Sequence, residues 1–221
     1  MAKAIINGQE IFGNVHLGEG GASSPTFSET VLADNSSLAS SFTLSDDMSN
    51  YDFIVFKCLN SSSNVVTEFI TTPTHLASIF TLTTNRFLLN EPANNQYVDY
   101  SVNGNLLTRL ANRNMNITEV RGLKCTNKTV SETVIYIAPS LGTTEAISGT
   151  GFFDYDLIFF SGNASAWDDT SLSMTPYKKD IFGVDKVCHY LQAYNGFYSF
   201  YITDTEMSST RYLCVTGIKL T

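Results

Sequence analysis

The chain has 221 residues, a formal net charge of -8 and 15% charged residues. A typical soluble domain carries about 25% Asp, Glu, Lys and Arg, and here Ser, Thr and Asn take up the difference at roughly 30% of the chain. The 43% hydrophobic and 12% aromatic content excludes a disordered chain. The acidic balance argues against a nucleic-acid partner, because neutralising phosphates needs clustered Lys and Arg. There is no apolar run of about 18 residues, so no membrane-spanning helix and no membrane partner are expected.

At the N-terminus, Asn7, Gly8, Gln9 and Glu10 interrupt any apolar core of a signal peptide, so none is expected. Ala4 to Ile11 carries the Asn-Gly signature of a tight hairpin between apolar strands. Asn14 to Leu17 can add a third strand, and Gly18 to Pro25 reads as a flexible linker. An isolated hairpin is marginal in water. This one is therefore expected to pack on its own domain or on a partner chain, with Ile5, Ile6, Ile11 and Phe12 as the anchoring residues.

From Thr26 onward the chain repeats itself. Ser28-Glu29-Thr30-Val31 returns as Ser131-Glu132-Thr133-Val134, and Tyr51-Asp52-Phe53-Ile54-Val55-Phe56 as Tyr155-Asp156-Leu157-Ile158-Phe159-Phe160. Thr72-Pro73 answers to Thr175-Pro176, Ile79-Phe80 to Ile181-Phe182, and Tyr97 to Tyr100 to Tyr198 to Tyr201. Val120-Arg121-Gly122-Leu123-Lys124 matches Val215-Thr216-Gly217-Ile218-Lys219. The matches are co-linear. They divide the chain into a segment 1–25 and two related units, 26–127 and 128–221.

The units read as β. Phe53 to Phe56 and Leu157 to Phe160 are short apolar runs between turn formers, which suits strands covered on both faces. Phe197 to Ile202 and Arg211 to Ile218 are aromatic and β-branched. Ser78 to Leu89 and Lys178 to Leu191 can each hold one turn or a short helix. The expected fold is all-β: two tandem β-sandwich, jelly-roll-like domains from an internal duplication, preceded by the hairpin.

Candidate chemistry is sparse. Cys58, Cys125, Cys188 and Cys214 have no metal spacing and no counterparts between the units, so they read as buried free thiols. His16, His75 and His189 form no metal motif, and His189 beside Cys188 on a strand points to the opposite face. Asp46-Asp47, Asp154/Asp156 and Asp168-Asp169 are the paired carboxylates that could serve a glycosidase or a calcium ion, but the duplicated Asp52 and Asp156 read as structural acceptors for turn amides. The triplets at Asn35, Asn60, Asn116, Asn127 and Asn163 read as by-products of composition rather than glycosylation sites. Aromatics concentrate in the second unit. Trp167, Asp168, Asp169, Tyr194 and Tyr198 are the candidate glycan or receptor contacts, since aromatic rings beside polar acceptors suit sugar rings. No catalytic residue, metal site or cofactor is expected.

The Ile-Ile-Asn-Gly hairpin, the Gly/Ser linker, the Tyr-Asp-Phe-Ile-Val-Phe strand and the closing Val-Thr-Gly-Ile-Lys strand resemble small virion proteins of tailed bacteriophages. The resemblance covers most of the chain and rests on texture, not on a diagnostic motif. It implies a non-enzymatic, tail-associated structural protein that takes part in host-surface attachment. A capsid decoration or head-fibre protein is the alternative, and a surface-glycan hydrolase stands behind both. It also implies other virion proteins as partners through the N-terminal segment, a homo-oligomer (a trimer favoured), host-surface glycan as a ligand, and assembly into the virion in a bacterial cytoplasm.

Overall fold

The structure is a computed structural model that describes residues 5–6, 9–10, 25–91, 96–138, 143–146, 155–163, 170–172, 177–178, 187–193, 196–202, 206–209 and 213–221. In chain order the elements are β1 (Ile5–Ile6), β2 (Gln9–Glu10), β3 (Phe27–Asp34), β4 (Ser41–Thr43), β5 (Phe53–Asn60) and β6 (Val65–Thr71). Helix α1 (Pro73–Leu82) follows, then β7 (Arg86–Glu91), β8 (Gln96–Asn103), β9 (Leu106–Arg113) and β10 (Met115–Cys125). Next come β11 (Val130–Ala138), β12 (Thr143–Ala146), β13 (Leu157–Asn163), β14 (Thr170–Leu172) and β15 (Tyr177–Lys178). The last four are β16 (Val187–Ala193), β17 (Gly196–Ile202), β18 (Glu206–Ser209) and β19 (Leu213–Leu220). The all-β expectation holds, and the architecture is sandwich-like.

Two sheets build the first unit. One has the order β3-β10-β5-β6, and strands β7-β8-β9-β4 run as neighbours in the other. Between them lies a core of Ile54, Phe56, Phe69, Phe87, Val98 and Tyr100. The Phe56 and Phe87 rings are 4.9 Å apart, and Phe87 stacks on Tyr100. The opposite face of the β5 sheet is also covered. Phe53, Val55, Ile70 and Leu123 pack there against Leu157, Phe159, Ile218 and Leu220 of the second unit. A strand buried on both faces cannot alternate, which explains the unbroken apolar run of β5.

The pairings of the first unit recur in the second. Order β11-β19-β13, with β14 and β15 both on the far side of β13, parallels β3-β10-β5-β6. Order β12-β18-β17-β16 parallels β4-β9-β8-β7. The register agrees residue by residue: Val120 pairs with Phe56 as Val215 pairs with Phe160, and Gly122 with Ile54 as Gly217 with Ile158. Each first strand carries a bulge at the matching site. Leu32 is skipped between Val31 and Ala33, and Ile135 between Val134 and Tyr136. The consecutive strands β5-β6 and β7-β8-β9 pair as hairpins and a meander.

The units are not separate in space. β14 runs parallel to β7 through the pair Ser171 and Leu88, which merges strands of both into a nine-stranded sheet. Helix α1 packs on β11 and β19.

The helix begins earlier than Ser78. Thr72 caps it, accepting a bond from the His75 amide at 3.1 Å, and Pro73 occupies the first turn, where its missing N–H is harmless. Arg86 to Leu89, expected in the same helical stretch, is strand β7. The described ends of the second helical stretch, Lys178 and Val187 to Leu191, are also strand. β1 and β2 pair antiparallel, Ile5 with Glu10 and Ile6 with Gln9. β1 lies alongside β6 of the same chain. Asn14 to Leu17 falls outside the described residues.

Candidate functional site

A fully buried polar cluster lies where α1 meets the second unit. His75 Nε2 is hydrogen-bonded to Ser161 Oγ of β13 at 2.7 Å, and Nδ1 to Thr216 Oγ1 of β19 at 2.9 Å. Cys214 Sγ lies 3.9 Å from Nδ1. His75 is 1% exposed, and Ser161 and Thr216 are 0% exposed. Burial pushes the imidazole pKa down to about 3, so the ring is neutral. It also pushes the Cys214 thiol up to about 12, so the thiol stays protonated. Burial raises the pKa of Glu132 of β11, against a lowering by Thr72 and Thr74 at the start of α1.

A serine hydroxyl on a histidine nitrogen is the beginning of a nucleophilic dyad, but three features oppose that use. The ring is oriented by a hydroxyl, not by a carboxylate. The imidazole is too weak a base near neutral pH. The Ser161 hydroxyl has no exposed surface for a substrate to approach. What the arrangement can do is bond two buried hydroxyls to one neutral ring, so that α1 is fixed to β13 and β19. Sequence reading missed this set because its members are 86 and 141 residues apart.

The first unit shows what the same sheet positions hold when water reaches them. The register places Cys214 opposite Ser161, as Glu119 lies opposite Lys57; Thr216 stands where Arg121 does. There, Arg121 bridges Glu29 at 2.7 Å and Glu119 at 3.1 Å, pairs also with Glu68, and Lys57 lies 4.0 Å from Glu119. Charged side chains on the half-open face and small neutral ones under α1 follow the cost of burying charge.

Two Tyr-Asp pairs close the strands. Asp52 Oδ2 accepts the Cys125 amide at 2.7 Å, and Asp156 Oδ2 accepts the Leu220 amide at 2.7 Å. Tyr51 and Tyr155 lie flat over Gly122 and Gly217, where a Cβ would overlap each ring. Asp46 accepts Asn50 Nδ2 and the Asp47 amide, each at 2.8 Å, and Tyr51 Oη, so this carboxylate holds a turn. Cys58 and Cys214 are buried free thiols, and Cys125 is free and half-buried. Asn35, Asn60 and Asn116 are buried, which closes them to a glycan.

Trp167, Asp168, Asp169 and Tyr194 lie outside the described residues, as do Ile11 and Phe12. Tyr198 sits in β17 opposite Leu191, and Ile5 and Ile6 form β1. Among the described residues no three His, Cys, Asp or Glu side chains are grouped to hold a metal ion, and no helix is long and apolar enough to cross a membrane. No family model, curated protein or solved structure matches the chain.

Proposed function

We propose that the chain is a non-enzymatic virion component of a tailed bacteriophage, tail-associated, that takes part in host-surface attachment as a homo-oligomer. The observation that carries the non-enzymatic reading is the sealed His75–Ser161–Thr216 set, whose hydroxyls and imidazole bond one another across the two units. A body of two interlocked sandwiches, with a short N-terminal hairpin ahead of it, suits a part that presents a rigid surface.

The two units are read as copies of one sandwich, 26–127 and 128–221, related by internal duplication. Matching registers, matching bulges at Leu32 and Ile135, and matching Gly–Tyr contacts support this. The segment 1–25, with Ile5, Ile6, Ile11 and Phe12, is proposed as the particle anchor, and Trp167, Asp168, Asp169, Tyr194 and Tyr198 as the receptor contacts.

The test is binding of the purified chain to host cells and, separately, to empty capsids. Binding to cells supports attachment. Tight binding to capsids without binding to cells replaces it with head decoration. Release of sugar from host polysaccharide, abolished by Asp168→Asn or Asp156→Asn, overturns the non-enzymatic reading.

A further inference from the structure

An open groove of about 270 Å³ lies on the first unit, between the exposed side of α1, the turn at Asp47 to Ser49 and the β8–β9 turn. Its wall is apolar: Phe80, Leu76 and Ala77 of α1. Its rim is polar and bears three side chains of complementary kind, the Asp47 carboxylate and the Asn85 and Asn103 amides.

The rim is held in place by backbone bonds. Asn85 adopts a left-handed φ of 54°, its amide donates to Thr83 O at 2.7 Å, and its carbonyl accepts the Val102 amide at 2.8 Å. Gly104, φ +56°, turns the chain beside Asn103. The Asn85 and Asn103 side chains are exposed and their amides make no hydrogen bond among the described residues. Asp47 uses one carboxylate oxygen to accept the Ser49 amide at 2.8 Å, which lowers its pKa and keeps it ionised. Asp46 beside it is also held ionised, chiefly by the Asp47 amide.

We propose that this groove binds a single uncharged sugar ring, with the ring's C–H face against Phe80 and its hydroxyls bonded by Asp47, Asn85 and Asn103. A hydroxyl-bearing ring needs donors and acceptors together, and amides supply both while a carboxylate supplies strong acceptors. The volume lies just below the usual small-molecule range of about 300–1,000 Å³, which suits one ring and not an extended chain. The ionised Asp47 carboxylate on the rim, with Asp46 next to it in the chain, disfavours acidic sugars. The inference rests on the groove alone and does not depend on the virion role.

Saturation-transfer NMR on the full chain tests it, with glucose, galactose, mannose and N-acetylglucosamine as neutral probes, and glucuronic acid and N-acetylneuraminic acid as acidic ones. Transfer to at least one neutral sugar and to neither acid is expected. In Asn103→Ala the affinity falls about fivefold or more, the effect of losing one hydrogen bond. Phe80→Leu, which removes the aromatic face and keeps the side chain apolar, weakens binding as well; an unchanged melting temperature separates either loss from misfolding. No transfer to any neutral sugar, equal transfer to the acids, or undiminished transfer in both variants overturns the proposal. Cell binding by a chain that shows no transfer to any neutral sugar sinks this inference and leaves the attachment reading standing.

Discussion

Gly122 and Gly217 each lie beneath a tyrosine ring, and neither has a positive φ to explain its glycine. The requirement is space. Ala at either site places a methyl inside the Tyr51 or Tyr155 ring, an overpacking that costs about 1–3 kcal/mol. Gly122→Ala and Gly217→Ala are therefore expected to lower the urea midpoint by similar amounts, and Tyr51→Ala combined with Gly122→Ala to recover part of the loss. His75 gives the second prediction at this scale. Its pKa is about 3 in the folded chain and near 6.5 when unfolded, so above pH 6.5 both states are neutral and stability is full. As pH falls below 6.5 the unfolded chain takes up a proton that the folded chain refuses, and stability declines by at most about 1.4 kcal/mol per pH unit. Glu132, with its pKa raised, acts in the opposite direction: as pH falls through its folded pKa, the folded chain takes up the proton first. His75→Gln should flatten the decline between pH 6.5 and 4 in urea titrations, and an unchanged slope would remove His75 as its cause.

Among the elements, the strands were legible and the helix only partly so. The apolar runs of β5 and β13 lie where their composition put them, because burial on both faces leaves a run that turn formers bracket clearly. The helix starts five residues before Ser78, at the strong N-terminal signal Thr72-Pro73, and it ends at Leu82, where the polar stretch Thr83 to Arg86 separates its apolar residues from those of β7. Thr72→Ala removes the cap and is expected to cost about 1 kcal/mol, read as a lower melting temperature with the strand signal unchanged. The hydroxyl set around His75 was invisible, because Ser and Thr are abundant in this chain and only the fold brings Ser161 and Thr216 to the ring.

At the scale of the molecule, the sequence boundary at residues 127 and 128 does not separate two independent bodies. Leu157, Phe159, Ile218 and Leu220 are buried against Phe53, Val55, Ile70 and Leu123. Cutting there uncovers both faces at once. Residues 128–221 expressed alone are expected to aggregate or to lack a dispersed NMR spectrum, and residues 26–127 to expose the same apolar face of the β5 sheet. A monomeric, cooperatively melting fragment 128–221 would show that the shared core is dispensable. Within the intact chain, Phe159→Ala opens that core between the units and should cost about 3–5 kcal/mol, read by chemical denaturation.

The ends of each unit also meet. Thr126 donates its amide to Thr26 O at 2.8 Å, and Thr129 and Thr221 exchange amide bonds at 2.7 and 3.0 Å. Entry and exit therefore sit side by side, as at the clasp of a bracelet. A unit closed in this way can be opened elsewhere and rejoined at its clasp without rerouting the strands.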